Sequence, residues 1–186
     1  TGGESPIKLY RRLAKDKSIP WKEIDFFIGD ERCVNEDSKY SNINMCKKNL
    51  LDKIPISNKQ IYKISINKKN PKKISRDYEK TIKKYFLRKK ISFDLVLLGI
   101  GNDGHIASLF KDNVNKKNKK IVDFIKRKDF SRVTLTLKCL NNSKNIFLWA
   151  PGKSKSNIVK KIISDKKLSY PASFLKVKNK FLFHSN

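Results

Sequence analysis

Phe93-Asp-Leu-Val-Leu-Leu-Gly-Ile-Gly-Asn-Asp-Gly-His105 joins an apolar run to a glycine loop. Residues 93–98 are short, nearly all apolar and closed by Gly99. This is the pattern of a strand buried on both faces, as in parallel sheets covered by helices on each side. In open sheets of that kind ligands bind beyond the carboxyl ends of the strands, which makes Gly99 to His105 the first place to expect chemistry. Ile106 to Phe110 reads as the start of a short helix. The positive end of its dipole would oppose ionisation of the His105 ring and leave a neutral imidazole able to take a proton from water. A lone histidine is more often a satisfied structural residue; a glycine loop leaving a buried strand favours the chemical role here.

Toward the N-terminus, Ser5-Pro6 reads as a helix start, a capping hydroxyl before a proline at the first helical position, with Ile7, Leu9, Tyr10 and Leu13 following at helical spacing. Ile24 to Ile28 is a β-type run closed by Gly29, and Ser41 can cap a helix reaching about Leu51. Ile61 to Ile64 suggests a short strand. Ile74, Tyr78, Ile82, Tyr85 and Phe86 recur at helical spacing after Pro71. Toward the C-terminus, Lys111 to Lys120 is a charged, low-complexity loop. Val133 to Leu137, Ile146 to Trp149 and Phe174 to Val177 read as strands, and Ser154 to Ser164 as a helix. The alternation predicts an α/β fold: a doubly wound, largely parallel sheet with helices on both faces, in one domain over residues 1–186. A glycine loop at Thr1 with no strand leading into it also predicts at least one upstream strand, in a longer chain of which these residues are a fragment.

The 186 residues carry a formal charge of +27. Such a surplus attracts nucleic acid, anionic membranes or phosphorylated metabolites alike. The lysines are spread along the chain among many Asn and Ile residues, which reads as a composition bias of solvated positions, and nucleic acid is not the expected partner. No apolar run is long enough to span a membrane, and Thr1-Gly-Gly-Glu-Ser-Pro has neither the basic nor the apolar region of an export signal. Three cysteines without a C-x-x-C pair fit a reducing, cytoplasmic setting. Two histidines and scattered cysteines match no metal-ligand spacing, so no metal is expected.

Gly99, Gly101 and Gly104 satisfy G-x-G-x-x-G, but the substantial helix of a dinucleotide site is lacking, and Asp123, at about the right offset for its acid, stands in the wrong context. Gly152-Lys153-Ser154 hints at a phosphate-binding loop, yet Phe147 stands where its first glycine should be. No G-x-S-x-G elbow supplies a serine nucleophile. Thr1, Gly2, Gly3 and Ser5 can cradle a phosphate at a helix start. Gly29-Asp30-Glu31-Arg32 leaves a strand end with two carboxylates and a guanidinium, suited to orienting a base and holding an anion. Arg132 and Lys153 add cations near other strand ends.

In this order the motifs resemble the 6-phosphogluconolactonase family: Thr1 to Pro6 its glycine-rich loop, Trp21 to Arg32 its tryptophan and Gly-Asp-Glu-Arg segment, Ser41-Asn42 its Ser-Asn. Asp94 to Phe110 is similar to its catalytic histidine signature, Arg132-Val-Thr134 to its arginine strand and Pro171-Ala-Ser173 to its closing motif. The related glucosamine-6-phosphate deaminases share Gly99 to Ala107 closely but continue Phe-Asn-Glu where this chain has Ser108-Leu-Phe110, and read Met-Asp-Glu-Tyr at Gly29 to Arg32. Lys111 departs from a usual proline, and Phe183-His-Ser-Asn186 lacks the usual last helix. The resemblance implies a Rossmann-like fold of the sugar-phosphate isomerase and deaminase type and no cofactor. It implies hydrolysis of a phosphorylated sugar lactone to 6-phosphogluconate in the oxidative pentose phosphate pathway, and it allows covalent fusion to a glucose-6-phosphate dehydrogenase. On this reading His105 activates water, Arg32 and glycine-loop N–H groups hold the oxyanion, and Asp30 orients a neighbouring polar group. Thr1, Gly2, Gly3, Ser5, Gly101, Asn102, Asp103, Gly104, Arg132 and Lys153 contact substrate. The alternatives are an amino-sugar-phosphate deaminase and a nucleic-acid binder using Lys83 to Lys90.

Overall fold

The computed structural model describes residues 1–66, 70–87 and 89–185. Its helices and strands are α1 (Ile7–Leu13), β1 (Phe26–Phe27), β2 (Asp30–Arg32), α2 (Asn42–Asn49), β3 (Ile61–Tyr62), α3 (Pro71–Tyr85) and β4 (Leu95–Gly99), followed by β5 (Val122–Ile125), β6 (Arg132–Leu135), α4 (Leu137–Asn141), β7 (Asn145–Trp149), α5 (Ser156–Ile163) and β8 (Asn179–Phe183). Parallel pairing dominates, as the buried run at 93–98 predicts. β7 lies between β4 and β8, with Leu95 opposite Asn145 and Gly99 opposite Trp149, and β1 pairs in parallel with β3. Along β7, Ile146 and Leu148 are buried on one face. On the other face, Trp149 stacks on Phe183 at 4.3 Å and its indole N–H donates to the Ser5 carbonyl at 2.9 Å, tying the first loop to the sheet.

Strands β2, β6 and β5 form a separate antiparallel sheet in the order β2-β6-β5, an arrangement that a parallel reading does not anticipate. The connection between β5 and β6 is too short for the crossover that parallel neighbours need, so the two close as a hairpin. α3 lies against this sheet. Asn70 caps it by accepting from the Lys72 N–H at 2.9 Å, Pro71 occupies its first turn, and Ile74, Ser75, Tyr78 and Ile82 form its buried face. Two of its side chains bond to neighbouring segments. The Tyr78 hydroxyl donates to the carbonyls of Ile28 at 2.9 Å and Tyr62 at 3.0 Å, and the Glu79 carboxylate accepts from the N–H groups of Ile121 and Val122.

Several local readings are corrected. Ser5 makes no cap: α1 begins at Ile7, so the cap position falls to Pro6, which has no side-chain acceptor, while the Ser5 carbonyl accepts from Trp149. Ile106 to Phe110 is a turn closed by bonds between Ile106 and Leu109, with Ala107 at φ 47°; the fully buried Ile106 anchors it and no helix starts there. Phe174 to Val177 is not a strand. A short helical turn spans Pro171–Phe174, and the partner of β7 is the largely exposed Asn179–Phe183 edge, whose Asn-Lys-Phe-Leu-Phe sequence marks it less clearly than the buried run before it. The α5 helix starts at Ser156, after a single turn at Lys153–Lys155.

Of the aromatics in the Lys83 to Lys90 segment, Phe86 packs against Phe93 at 5.4 Å, while Tyr85 remains 39% exposed with its ring against Phe27 at 4.9 Å and its hydroxyl donating to Asp25 at 2.7 Å. Arg88 of that segment lies outside the described residues, as does Asn186 of the last segment.

Candidate active site

The loop leaving β4 is built around its glycines. The Gly101 N–H donates to the His105 carbonyl at 2.9 Å and the Gly104 N–H to the Gly101 carbonyl at 2.9 Å. This folds residues 101–105 back so that the imidazole lies over Gly101, where a Cβ would overlap ring atoms Nδ1 and Cε1. Gly104 adopts φ +81° with Tyr170 packed beneath it, a conformation that suits glycine. The imidazole is oriented by a neighbouring side chain. Asp103 Oδ1 meets His105 Nδ1 at 2.5 Å and also accepts the His105 backbone N–H. A carboxylate on Nδ1 favours the proton there and leaves Nε2 with its lone pair. This pairing replaces the helix dipole inferred from sequence, because no helix begins at His105. Partial burial pushes the Asp103 carboxyl up, but the ring hydrogen bond and charge of His105 outweigh it and hold it below the usual carboxylate value. Phe110 packs against the imidazole at 4.4 Å.

The facing wall comes from β2 and the start of α2. Glu31 is 2% exposed and accepts from the N–H groups of Asn42 at 2.7 Å, Ile43 at 2.8 Å and Arg32 at 2.9 Å, with the Ser41 hydroxyl at 3.1 Å. Burial raises its carboxyl, opposed by the three backbone donors. Ser41 caps α2 through the Asn44 N–H, as the sequence suggests. With the helix start held, Asn42 donates to the Asp30 carbonyl at 2.8 Å and to Asp30 Oδ1 at 3.3 Å, and its carbonyl oxygen accepts from Arg32 Nη1 at 3.2 Å. Glu31→Ala strands several buried donors, so a loss of about 3 kcal/mol in urea unfolding is expected. A loss below about 1 kcal/mol would mean that water replaces the carboxylate.

These walls enclose a cleft of about 200 Å³ lined by Thr1, Gly2, Gly3 and Ser5 of the first loop, Asp30 and Arg32 of β2, and Gly101 and His105. The Thr1 hydroxyl accepts from the Gly99 N–H at 2.9 Å and so docks the first loop onto the end of β4. Asn102, Asp103 and Gly104, expected as substrate contacts, do not line the cleft themselves. Asn102 accepts from Lys155 Nζ at 2.7 Å, Asp103 holds the imidazole and Gly104 rests on Tyr170. Arg132 lies elsewhere: it is buried, paired with Asp129 at 2.6 Å, and lines a separate depression with Phe110, which separates it from His105. Lys153 is exposed and does not line the cleft.

Two polar side chains of the cleft escaped sequence reasoning. Asn42 was visible only as half of a Ser-Asn pair. Lys155 lines the cleft where Lys153 was expected, because Gly152 at φ +89° redirects the chain into one turn before α5. Burial lowers the Lys155 ammonium, offset in part by Asp103. Among the described residues no group of three His, Cys, Asp or Glu side chains is arranged to hold a metal ion, and no helix is long and apolar enough to cross a membrane.

Comparison with known proteins adds a lineage to this geometry. The 6-phosphogluconolactonase of Thermotoga maritima is 33% identical over 184 residues, covering 96% of this chain and 79% of its own. That of Synechocystis is 29% identical over 189 residues, covering 98% and 78%. The crystal structure of the Thermotoga maritima enzyme superposes with a TM-score of 0.86 over 98% of this chain and 81% of that one, at 33% identity. Residues 1–183 match the family described as glucosamine-6-phosphate isomerases/6-phosphogluconolactonase. On fold, cleft and sequence together, the chain belongs to that family.

Proposed function

We propose that the chain hydrolyses 6-phospho-D-glucono-1,5-lactone to 6-phosphogluconate, a carboxylic ester hydrolysis of the oxidative pentose phosphate pathway. The observation that carries this reading is the Asp103–His105 pair opening onto a cleft that also holds Arg32 and Lys155. An imidazole with its Nδ1 held by a carboxylate is a general base, and two cations beside a glycine loop suit a substrate that carries a phosphate.

In the proposed mechanism Nε2 of neutral His105 takes a proton from water as the water oxygen attacks the lactone carbonyl carbon. The carbonyl π electrons move to oxygen, and the oxyanion is held by Arg32 and glycine-loop N–H groups. Collapse breaks the bond between the carbonyl carbon and the ring oxygen, which takes the proton from the imidazolium and leaves as a hydroxyl. The acid then ionises to solvent. Lys155 and the loop at Gly2 and Gly3 take the phosphate. Asp30, an acceptor only, takes a sugar hydroxyl.

The test is proton release from freshly generated lactone, corrected for spontaneous hydrolysis, beside ammonia release from glucosamine-6-phosphate. Catalysed lactone opening without ammonia is expected. Ammonia without lactone opening would replace this reading with the deaminase one.

A further inference from the structure

We propose that Ser108 is a positioning residue of this site, acting through Asp30; the inference rests on the lactonase reading and adds a residue to it. Ser108 is 1% exposed, three positions beyond His105 in the turn that follows it. Its hydroxyl donates to Asp30 Oδ2 at 2.7 Å, a bond that spans 78 positions of sequence. Its backbone N–H donates to the hydroxyl of the fully buried Thr134 on β6 at 3.2 Å. Ser108 is thus joined to β2 and β6 of the antiparallel sheet while remaining on the loop that carries the imidazole.

The consequence falls on Asp30. Its Oδ1 receives Asn42 at 3.3 Å and its Oδ2 receives Ser108, so the carboxylate is held between two donors at the cleft wall. A carboxylate has about four acceptor positions, and those left over can take donors from the cleft. The lactone carbonyl and the phosphate offer acceptors only; the ring hydroxyls offer donors. Asp30 therefore selects the ring hydroxyls, and Ser108 sets the direction in which it does so. An acceptor that contacts the sugar alike before and during reaction acts on KM more than on kcat.

The test is a double-substitution cycle on the full chain, with Ser108→Ala and Asp30→Asn alone and combined, reading kcat and KM for lactone hydrolysis. Ser108→Ala is expected to raise KM by about 10-fold, the scale of one hydrogen bond to a charged group, with kcat changed by less than about 2-fold. In the Asp30→Asn background the same change is expected to add less than about 2-fold. Equal losses in both backgrounds would show that Ser108 acts independently of Asp30 and overturn the proposal, as would an unchanged KM. If Ser108→Ala does not fold, Ser108→Cys keeps the volume with a weak donor and carries the same cycle. Absence of lactone hydrolysis by the unsubstituted chain overturns the activity and this role together; normal hydrolysis with no coupling overturns the role of Ser108 alone.

Discussion

His105→Ala is expected to lower kcat/KM for lactone hydrolysis by about 10³-fold, within the range ascribed to a positioned general base. The residue offers one group that can both take and return a proton, and Asp103 leaves Nε2 as the nitrogen able to do so. Alanine removes both functions. The effect on stability should be small, below about 1 kcal/mol, because the side chain is 32% exposed and its polar partner is the exposed Asp103. Stopped-flow proton release measures the rate, and the spontaneous opening of the lactone must be subtracted before the variant is judged. A variant within about 3-fold of the unsubstituted chain, far short of the 10²-fold minimum for such a base, would remove His105 from the mechanism and leave Asp30 as the remaining carboxylate base in the cleft.

Gly101→Ala is the second large effect, expected at about 10²-fold in kcat/KM with the imidazole still present. The added Cβ overlaps ring atoms Nδ1 and Cε1 of His105, so the ring must swing away from the place Asp103 gives it. The atoms in the way are the end of a partly exposed side chain, so the fold can yield at a cost of about 1 kcal/mol. Displacement of a catalytic group by about 1 Å can by itself cost 10²-fold. Comparing Gly101→Ala with His105→Ala separates position from chemistry. Adding Gly101→Ala to His105→Ala should cost little more, whereas an additive loss would mean that Gly101 contributes in another way, such as through its backbone N–H.

Parts of this architecture are written locally. The apolar run at 93–98 marks a buried parallel strand because a strand covered on both faces cannot alternate. Pro71 and the spacing of Ile74, Tyr78 and Ile82 set the start and phase of α3 because a helix repeats every 3.6 residues. The glycines at 99, 101 and 104 mark a loop that folds tightly enough to present His105, and Gly29 to Arg32, read as a loop past a strand end, is the short strand β2 at the same cleft. Family membership follows from the same letters, since the motifs occur in order along almost the whole chain.

The remainder was decided by contacts between segments far apart in sequence. Nothing in Lys153-Ser-Lys155 says which ammonium enters the cleft; the turn after Gly152 does. Arg132 reads in sequence as a substrate contact; only the fold shows that it pairs with Asp129 and lines a separate depression beside Phe110. The orientation of the imidazole belongs to Asp103 because the buried Ile106 pulls the next residues into a turn instead of a helix. The bond from Ser108 to Asp30 exists only because the loop after β4 meets the antiparallel sheet of β2 and β6. By itself the sequence determined the buried strands at 93–98 and 146–149, the main helix, the family and the histidine loop, because periodicity, glycine and proline act within a few residues. The choice of cations, the orienting carboxylate and the antiparallel sheet waited for tertiary structure, because a side chain's partner depends on which distant segment packs against it.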